Sequence, residues 1–340
     1  MRSAIRRGVP WRVSRGVRRH APRGVLRRVA PRPVGRASHE GTLACATPAP
    51  TAAPLTALPL RLALRALVAA QPPLPEPVRS AVARAVSLRL APGEVADERA
   101  VDALRACLAV SGASVEVVDY GAGSAGGNAP VRRVAEVYRR ASSGPLWGRV
   151  MTGLVRGLRP RRVLELGTNL GVSAAHIAAA LARNEAEGGP AGRLVTLEGA
   201  PALARLARAH LADLGHGEDR VRVAVGPFAE TLAPVCAQDG PFDLVFVDGH
   251  HERDAALGYV AAVRPFLAPG AVVVLDDVEP GRPVLGAYRR LAAESTASVW
   301  LGKWGVLVLS SSAPPASPNA PQTGASPGLA RPTALPAASR

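Results

Sequence analysis

Carboxylates, glycines and histidines recur at one kind of place in this sequence, the point where an apolar run stops. ELGTNLGVS (165–173) closes one run, Glu198-Gly199 a second and Gly226-Pro227-Phe228 a third; Asp248-Gly249-His250-His251 closes a fourth and Asp276-Asp277 a fifth. Gly167 and Gly171 let the backbone pass tightly just ahead of a helix N-terminus. Their spacing is not the dinucleotide GxGxxG, and a plain strand-to-helix turn has the same look. Glu198, one strand over, can accept both hydroxyls of a ribose. The competing assignment is an acidic neighbour for the helix that begins near Pro201. Phe228 can lie against a flat base or simply fill core.

Asp248, Asp276 and Asp277 form a second cluster. If their strands are parallel neighbours, three carboxylates converge and repel unless protonated or neutralised. A hard divalent cation such as Mg²⁺ would neutralise them with oxygen ligands. Loop capping, for which Asp is commonly used, accounts for the same residues without a ligand. His250 and His251 stand beside Asp248, and imidazole is the side chain suited to general-base work near neutrality. The other histidines have weaker claims: His176 and His210 fall on helices, His216 in a loop, His20 and His39 in an N-terminal arm.

Such residues need a scaffold that brings run ends together. RRVLELG (161–167), RLVTLEG (193–199), RVRVAVG (220–226), FDLVFVDG (242–249) and AVVVLDDV (271–278) read as short buried strands. Between them lie GVSAAHIAAALAR, PALARLARAHLADLG, FAETLAPVCAQ and ERDAALGYVAAVRPFL, all helical in pattern. Strands joined by helices make a parallel sheet covered on both faces. Ligands of such sheets bind beyond the carboxyl ends of the strands. ASVWLG and GVLVLS, around 297–302 and 305–310, are too close for a crossover helix and predict an antiparallel hairpin. Upstream, PEPVRSAVARAVSLRL and DERAVDALRACLAV have helical apolar spacing. SVEVVDYGAGSAGG (114–127) reads as a short strand entering a Gly-rich loop, with helices expected around 130–141 and 146–158.

The chain has 340 residues, 48% of them hydrophobic, enough to bury a sizeable core. Its net charge is +16, but residues 1–40 hold twelve Arg and one Glu, a net of +11. The other 300 residues therefore carry +5 (16 minus 11), so the basicity belongs to an arm rather than to a folded basic face. Of the 42 basic residues, Lys303 alone is not Arg. Residues 1–58 read as a disordered Arg-rich arm and Pro/Ala linker, and 59–158 as a mainly helical cap. Residues 159–311 read as the core and 312–340 as a disordered Pro-rich tail. Transit peptides and nucleic-acid-binding arms share the arm's composition. The folded part has no aromatic-interleaved basic stretch, which weighs against nucleic acid as a partner. Cys45, Cys107 and Cys236 lie far apart without CxxC spacing, which argues against structural zinc or a disulfide framework and for a reducing, cytoplasmic compartment. No run approaches 18 uninterrupted apolar residues, so no membrane-spanning helix is expected.

ELGTNLGVS, LEG, FDLVFVDGHHERDAALGYV and VVVLDDV, taken together, resemble class I S-adenosylmethionine-dependent methyltransferases. The likeness is to the bacterial O-methyltransferase-like branch, with its ELGTSLG and FIDGNH strand-end patterns. That branch's upstream GAGS loop is matched by Gly121, Ala122, Gly123 and Ser124. The resemblance covers about 115–310. It implies a Rossmann-like, doubly wound α/β fold whose seven-stranded, mostly parallel sheet ends in an antiparallel hairpin, beneath a helical cap. It implies S-adenosylmethionine as cofactor, with Glu165, Gly167 and Gly171 at the methionine end and Glu198 on the ribose. Thr168, Asn169, Ser173, Gly199, Phe228 and Asp248 complete that wall. Asp248, Asp276 and Asp277 coincide with the metal ligands of catechol O-methyltransferase-like enzymes, with Asp-Asp where those carry Asp-Asn. His251 stands where those enzymes place a catalytic Lys. The implied reaction is methylation of a small hydroxylated molecule, with Mg²⁺ lowering the hydroxyl's pKa and His251, beside Asp248, accepting its proton. The alternatives are metal-free N- or C-methylation, an RNA-binding or RNA-modifying protein that uses the arm, and a cofactor-binding protein without turnover.

Overall fold

A computed structural model describes residues 72–118 and 130–311, together with Leu62, Arg65 and Val68. The Arg-rich arm, the Pro/Ala linker, the GAGS loop and the Pro-rich tail lie outside the described residues. Four helices precede the main sheet: α1 (Glu76–Ser87), α2 (Pro92–Val110), α3 (Val134–Ala141) and α4 (Pro145–Leu158). A proline in the first turn starts α1, α2 and α4, where its missing N–H costs no intrahelical bond. On α1 the buried residues Val78, Ala81, Val82, Ala85 and Val86 recur at helical spacing and form one face. That face meets α4 through glycine: a Cβ at Gly153 would lie 2.6 Å from the Ala85 Cα, and one at Gly157 2.5 Å from the Ala81 Cα.

The helix expected from about 130 begins at Val134 instead. Residues Val131–Arg133 form β2, paired antiparallel with β1 (Ser114–Glu116), because Val115 is buried and this pairing satisfies the backbone on either side of it. Charge holds α2 onto its neighbours. Arg156 Nε donates to Glu94 at 2.5 Å and Arg149 Nε to Glu98 at 2.9 Å, both from α4. Arg183 Nη2 donates to Asp97 at 2.8 Å.

The main sheet alternates with helices as the run pattern requires. Its strands are β3 (Arg162–Leu166), β4 (Arg193–Glu198), β5 (Val221–Val225), β6 (Phe242–Val247), β7 (Leu267–Leu275), β8 (Ala297–Trp300) and β9 (Gly305–Leu309). The helices are α5 (Val172–Ala186), α6 (Pro201–Asp213), α7 (Phe228–Asp239), α8 (Arg253–Val263) and α9 (Val284–Glu294). The strand order is β5-β4-β3-β6-β7-β9-β8, with β3 to β7 parallel and β9 antiparallel to both β7 and β8. Successive strand residues face opposite sides, so two apolar cores form. Val163, Leu244 and Phe246 join the core under α1, α4, α5 and α6; Leu164, Leu166 and Val245 join the one under α7, α8 and α9. Among the described residues no helix is long and apolar enough to cross a membrane. Cys107 is disulfide-bonded, against the expectation from cysteine spacing, and Cys236 is free and buried.

Candidate active site

The register of the sheet assembles the site. Leu166 lies opposite Leu197 on one side and Val247 on the other, and Val247 lies opposite Leu275. The residues that follow, Gly167, Glu198, Asp248 and Asp276, therefore emerge along one sheet edge. The ladder continues into the loops: Asp248 N–H donates to Leu166 O at 2.9 Å and Asp276 N–H to Val247 O at 3.0 Å. The first strand, β3, has β4 on one side and β6 on the other, which is the switch point where open α/β sheets bind ligands. A cavity of about 690 Å³ opens there.

Gly167, Thr168, Asn169, Ser173, Glu198, Gly199, Phe228, Asp248 and His251 line that cavity, as the sequence led us to expect; Glu165, Gly171, Asp276 and Asp277 do not. Glu198 is held by backbone: Oε2 accepts the Asn169 N–H at 2.7 Å and Oε1 the Ala200 N–H at 2.8 Å. Each oxygen keeps a second lone pair for a ligand. Burial pushes this carboxyl above the ordinary range, against the pull of the Ala200, Asn169 and Gly199 amides. Asn169 takes a left-handed backbone (φ 50°), and its Oδ1 is buried on the cavity wall with no partner. A buried acceptor without a donor is an invitation to a ligand. Gly171 caps α5 at φ 82°, packed against Ala207, and so aims the helix N-terminus at the cavity without touching it.

Glu165 is corrected from a wall residue to a support. It is fully buried, and its Oε2 accepts from Thr196 Oγ1 at 2.6 Å, which in turn lies 2.6 Å from Thr168 Oγ1. Burial pushes its pKa up to about 7, with hydrogen bonds from Ser173 and Thr196 lowering it and the Glu198 charge raising it. A folded pKa above the ordinary carboxyl value of 4.5 means that the folded state binds more protons between those limits. Stability is therefore expected to fall as pH rises from about 4.5 to about 7, by at most about 3 kcal/mol from this group. Glu165→Gln, neutral at every pH, should remove that part of the slope. Urea midpoints of both proteins across this range check it; parallel slopes would place the titration elsewhere.

His251, which also lines the cavity, is half-exposed, with Nδ1 3.2 Å from Asp277 Oδ2. Its neighbour His250 adopts φ 56° and sets Nδ1 2.8 Å from the Tyr259 hydroxyl. Tyr259 meets Phe228 edge to face, with centroids 5.4 Å apart. Phe228 thus both packs and lines the cavity, so its two assignments were not exclusive.

A lysine stands beside the three aspartates. Asp276 is 3% exposed, and both its oxygens accept from Lys303 Nζ at 2.6 Å. Its Oδ1 also accepts the Asp277 N–H at 2.7 Å, while Asp277 Oδ1 lies 3.5 Å from the same ammonium. Asp248 is pushed well above the usual carboxylate range by burial and by the charge and hydrogen bond of Asp276. Among the described residues no group of three His, Cys, Asp or Glu is placed to hold a metal ion. The expected set Asp248, Asp276 and Asp277 thus has Lys303 of the hairpin turn beside it.

Residues 164–278 match the family model of a methyltransferase domain. The match spans about a third of the chain. The chain is 39% identical over 138 residues to a catechol O-methyltransferase of Mycobacterium tuberculosis, covering 41% of this chain and 57% of that protein. It is 35% identical over 148 residues to catechol O-methyltransferase B of Danio rerio, covering 42% and 52% respectively. The chain thus spans little more than half the length of these relatives. The O-methyltransferase TomG of Streptomyces achromogenes, solved in complex with S-adenosylmethionine, is 28% identical with a TM-score of 0.41, covering 50% of this chain and 82% of that one.

Sequence reasoning missed Tyr259, Arg132 and Arg140 among the residues that line the cavity. Tyr259 comes from α8, and its only local sign is a lone aromatic on a helix that follows His250. Arg132 and Arg140 come from β2 and α3, and nothing in an Arg-rich chain marks them out. The weaker histidines prove structural. His176 is buried between Arg105 Nη2 (3.1 Å) and Thr152 Oγ1 (3.2 Å), and burial lowers its pKa to about 3, so it stays neutral. His210 Nδ1 bonds Leu170 O at 3.0 Å.

Proposed function

We propose that the protein is an S-adenosylmethionine-dependent O-methyltransferase that acts on a small hydroxylated molecule. The observation that carries this reading is one cavity lined by two differently equipped sets of residues. One has Glu198 and the unpartnered Asn169 Oδ1 beside the N-terminus of α5, and the other has His251 braced by Asp277. The first set fits the cofactor. Glu198 accepts the ribose hydroxyls, Phe228 lies along the base, and Asn169 with the helix N-terminus takes polar groups of the amino-acid end. When bound, S-adenosylmethionine supplies a methyl group on a sulfonium, already activated for in-line displacement.

The chain's remaining work is positioning and proton management. Asp277 accepts from His251 Nδ1–H, which leaves Nε2 as the basic nitrogen on the cavity side. That nitrogen removes the acceptor hydroxyl's proton as the oxygen attacks. The catechol O-methyltransferases among the relatives support oxygen as the acceptor atom. Glu165, through Thr196 and Thr168, keeps the β3–α5 loop in shape.

Calorimetry with S-adenosylhomocysteine and NAD, followed by labelled-methyl transfer to a panel of catechols, phenols and amines, tests this reading. Binding of the first ligand and transfer to a hydroxyl are expected. Binding of NAD alone would overturn it, and transfer only to an amine nitrogen would change the acceptor class.

The same reading keeps the protein in the cytoplasm, where the Cys107 disulfide should be reduced. Native protein, denatured and alkylated without reductant, should then show all three cysteines modified; modification of Cys236 alone would mean an oxidising compartment.

A further inference from the structure

The acid cluster at the ends of β6 and β7 raises a question that the proposed reaction leaves open, namely what balances its charge. The turn between β8 and β9 supplies the answer. Its backbone is anchored at both ends: Val278 N–H donates to Lys303 O at 2.7 Å, and Trp300 Nε1 donates to Val278 O at 2.8 Å. The next residue, Trp304, is 1% exposed and packs on Phe246 and Trp147, with centroids at 5.3 and 4.8 Å. Lys303 is therefore delivered by a fixed turn rather than by a mobile side chain on an exposed surface. Its ammonium lies 2.6 Å from both oxygens of Asp276 and 3.5 Å from Asp277, whose other oxygen faces His251. In a chain whose other 41 basic residues are all Arg, this place alone holds a Lys. A guanidinium is planar and broad, whereas an ammonium is a compact point charge with donors in all directions. Compactness is what a cluster built around one central cation needs.

We propose that the Lys303 ammonium is the resident cation of this site, standing where a divalent ion would otherwise bind, so that methyl transfer by this protein needs no divalent metal. The inference deepens the function proposed above and rests on it for the clause about transfer. The clause about the site stands by itself. A divalent ion would have to displace a partly buried ammonium bonded to both oxygens of the buried Asp276, and breaking such a pair leaves charges uncompensated. Through Asp276 and Asp277 the same ammonium holds the carboxylate that orients His251. Lys303 is a positioning residue in this scheme.

The test uses the full chain and reads metal binding directly. Wild-type protein titrated with Mn²⁺ and followed by electron paramagnetic resonance should bind none at this site at millimolar ion. Lys303→Met should bind Mn²⁺ that Lys303→Met/Asp276→Asn does not. Turnover of the wild type should be unchanged in excess chelator. Mn²⁺ binding by the wild type that Asp276→Asn abolishes would overturn the proposal, as would turnover lost in chelator and restored by Mg²⁺. A folded Lys303→Met that binds no Mn²⁺ would also overturn it. If that variant fails to fold, the wild-type titration decides. The titration needs no acceptor, so failure of the proposed function and failure of this inference are told apart.

Discussion

Replacing His251 by Ala is expected to slow methyl transfer by about 10²–10⁴-fold at saturating substrates, the usual range for a lost general base. Affinity for S-adenosylhomocysteine should be unchanged, because His251 belongs to a different set of lining residues from Glu198 and Asn169 in our reading of the cavity. Half exposure of the side chain means that its loss removes little buried surface, so the melting temperature should barely move. Asp277→Asn supplies the companion measurement. An amide at this place can offer His251 Nδ1 a donor instead of an acceptor, which favours the wrong tautomer. It should lower the rate while leaving cofactor affinity intact. Wild-type rates for His251→Ala would remove the base from the scheme and turn attention to His250.

Glu198→Ala is the second large effect. Loss of charge-assisted hydrogen bonds to a ribose should weaken binding of S-adenosylmethionine by roughly 1.5–3 kcal/mol, or about ten- to hundredfold in affinity. Part of the effect is indirect, because the carboxylate also receives the Asn169 and Ala200 amides and so shapes both loops that flank it. Glu198→Gln keeps one acceptor and the side-chain shape, and it should fall between wild type and Ala. Calorimetry on variants shown to melt like the wild type measures both. Equal affinity in a folded Glu198→Ala would remove Glu198 from the cofactor wall.

Much of this domain was legible in the sequence because its elements are encoded locally. Short apolar runs separated by helical patterns specify parallel strands with both faces covered, and the end of each run marks the sheet edge where ligands bind. Glu198, Asn169, Phe228, Asp248 and His251 could be named on that ground, and all of them line the cavity. A run's end says nothing, however, about depth. Glu165 lies one residue inside the end of β3, and alternation sends it into the layer beneath the cavity instead of into the cavity. The start of α3 was misread for a related reason: residues 131–133 are claimed by pairing with β1, a partner that helical periodicity does not see.

The acid cluster shows most clearly what only tertiary structure decides. Three aspartates at two neighbouring strand ends read as a cation site, and the chemistry of that reading is sound as far as it goes. The cation that takes its place in our proposal is a residue with no local signature. Lys303 reaches Asp276 because β9 lies antiparallel to β7 while β8 closes the sheet edge, which folds their shared turn back over the ends of β6 and β7. Sequence patterns carry the period and length of elements, which follow from each residue's immediate neighbours. They do not carry which distant side chain fills the space between two strand ends. That depends on register and on packing across the sheet, and here it put an ammonium where the sequence alone suggested a metal ion.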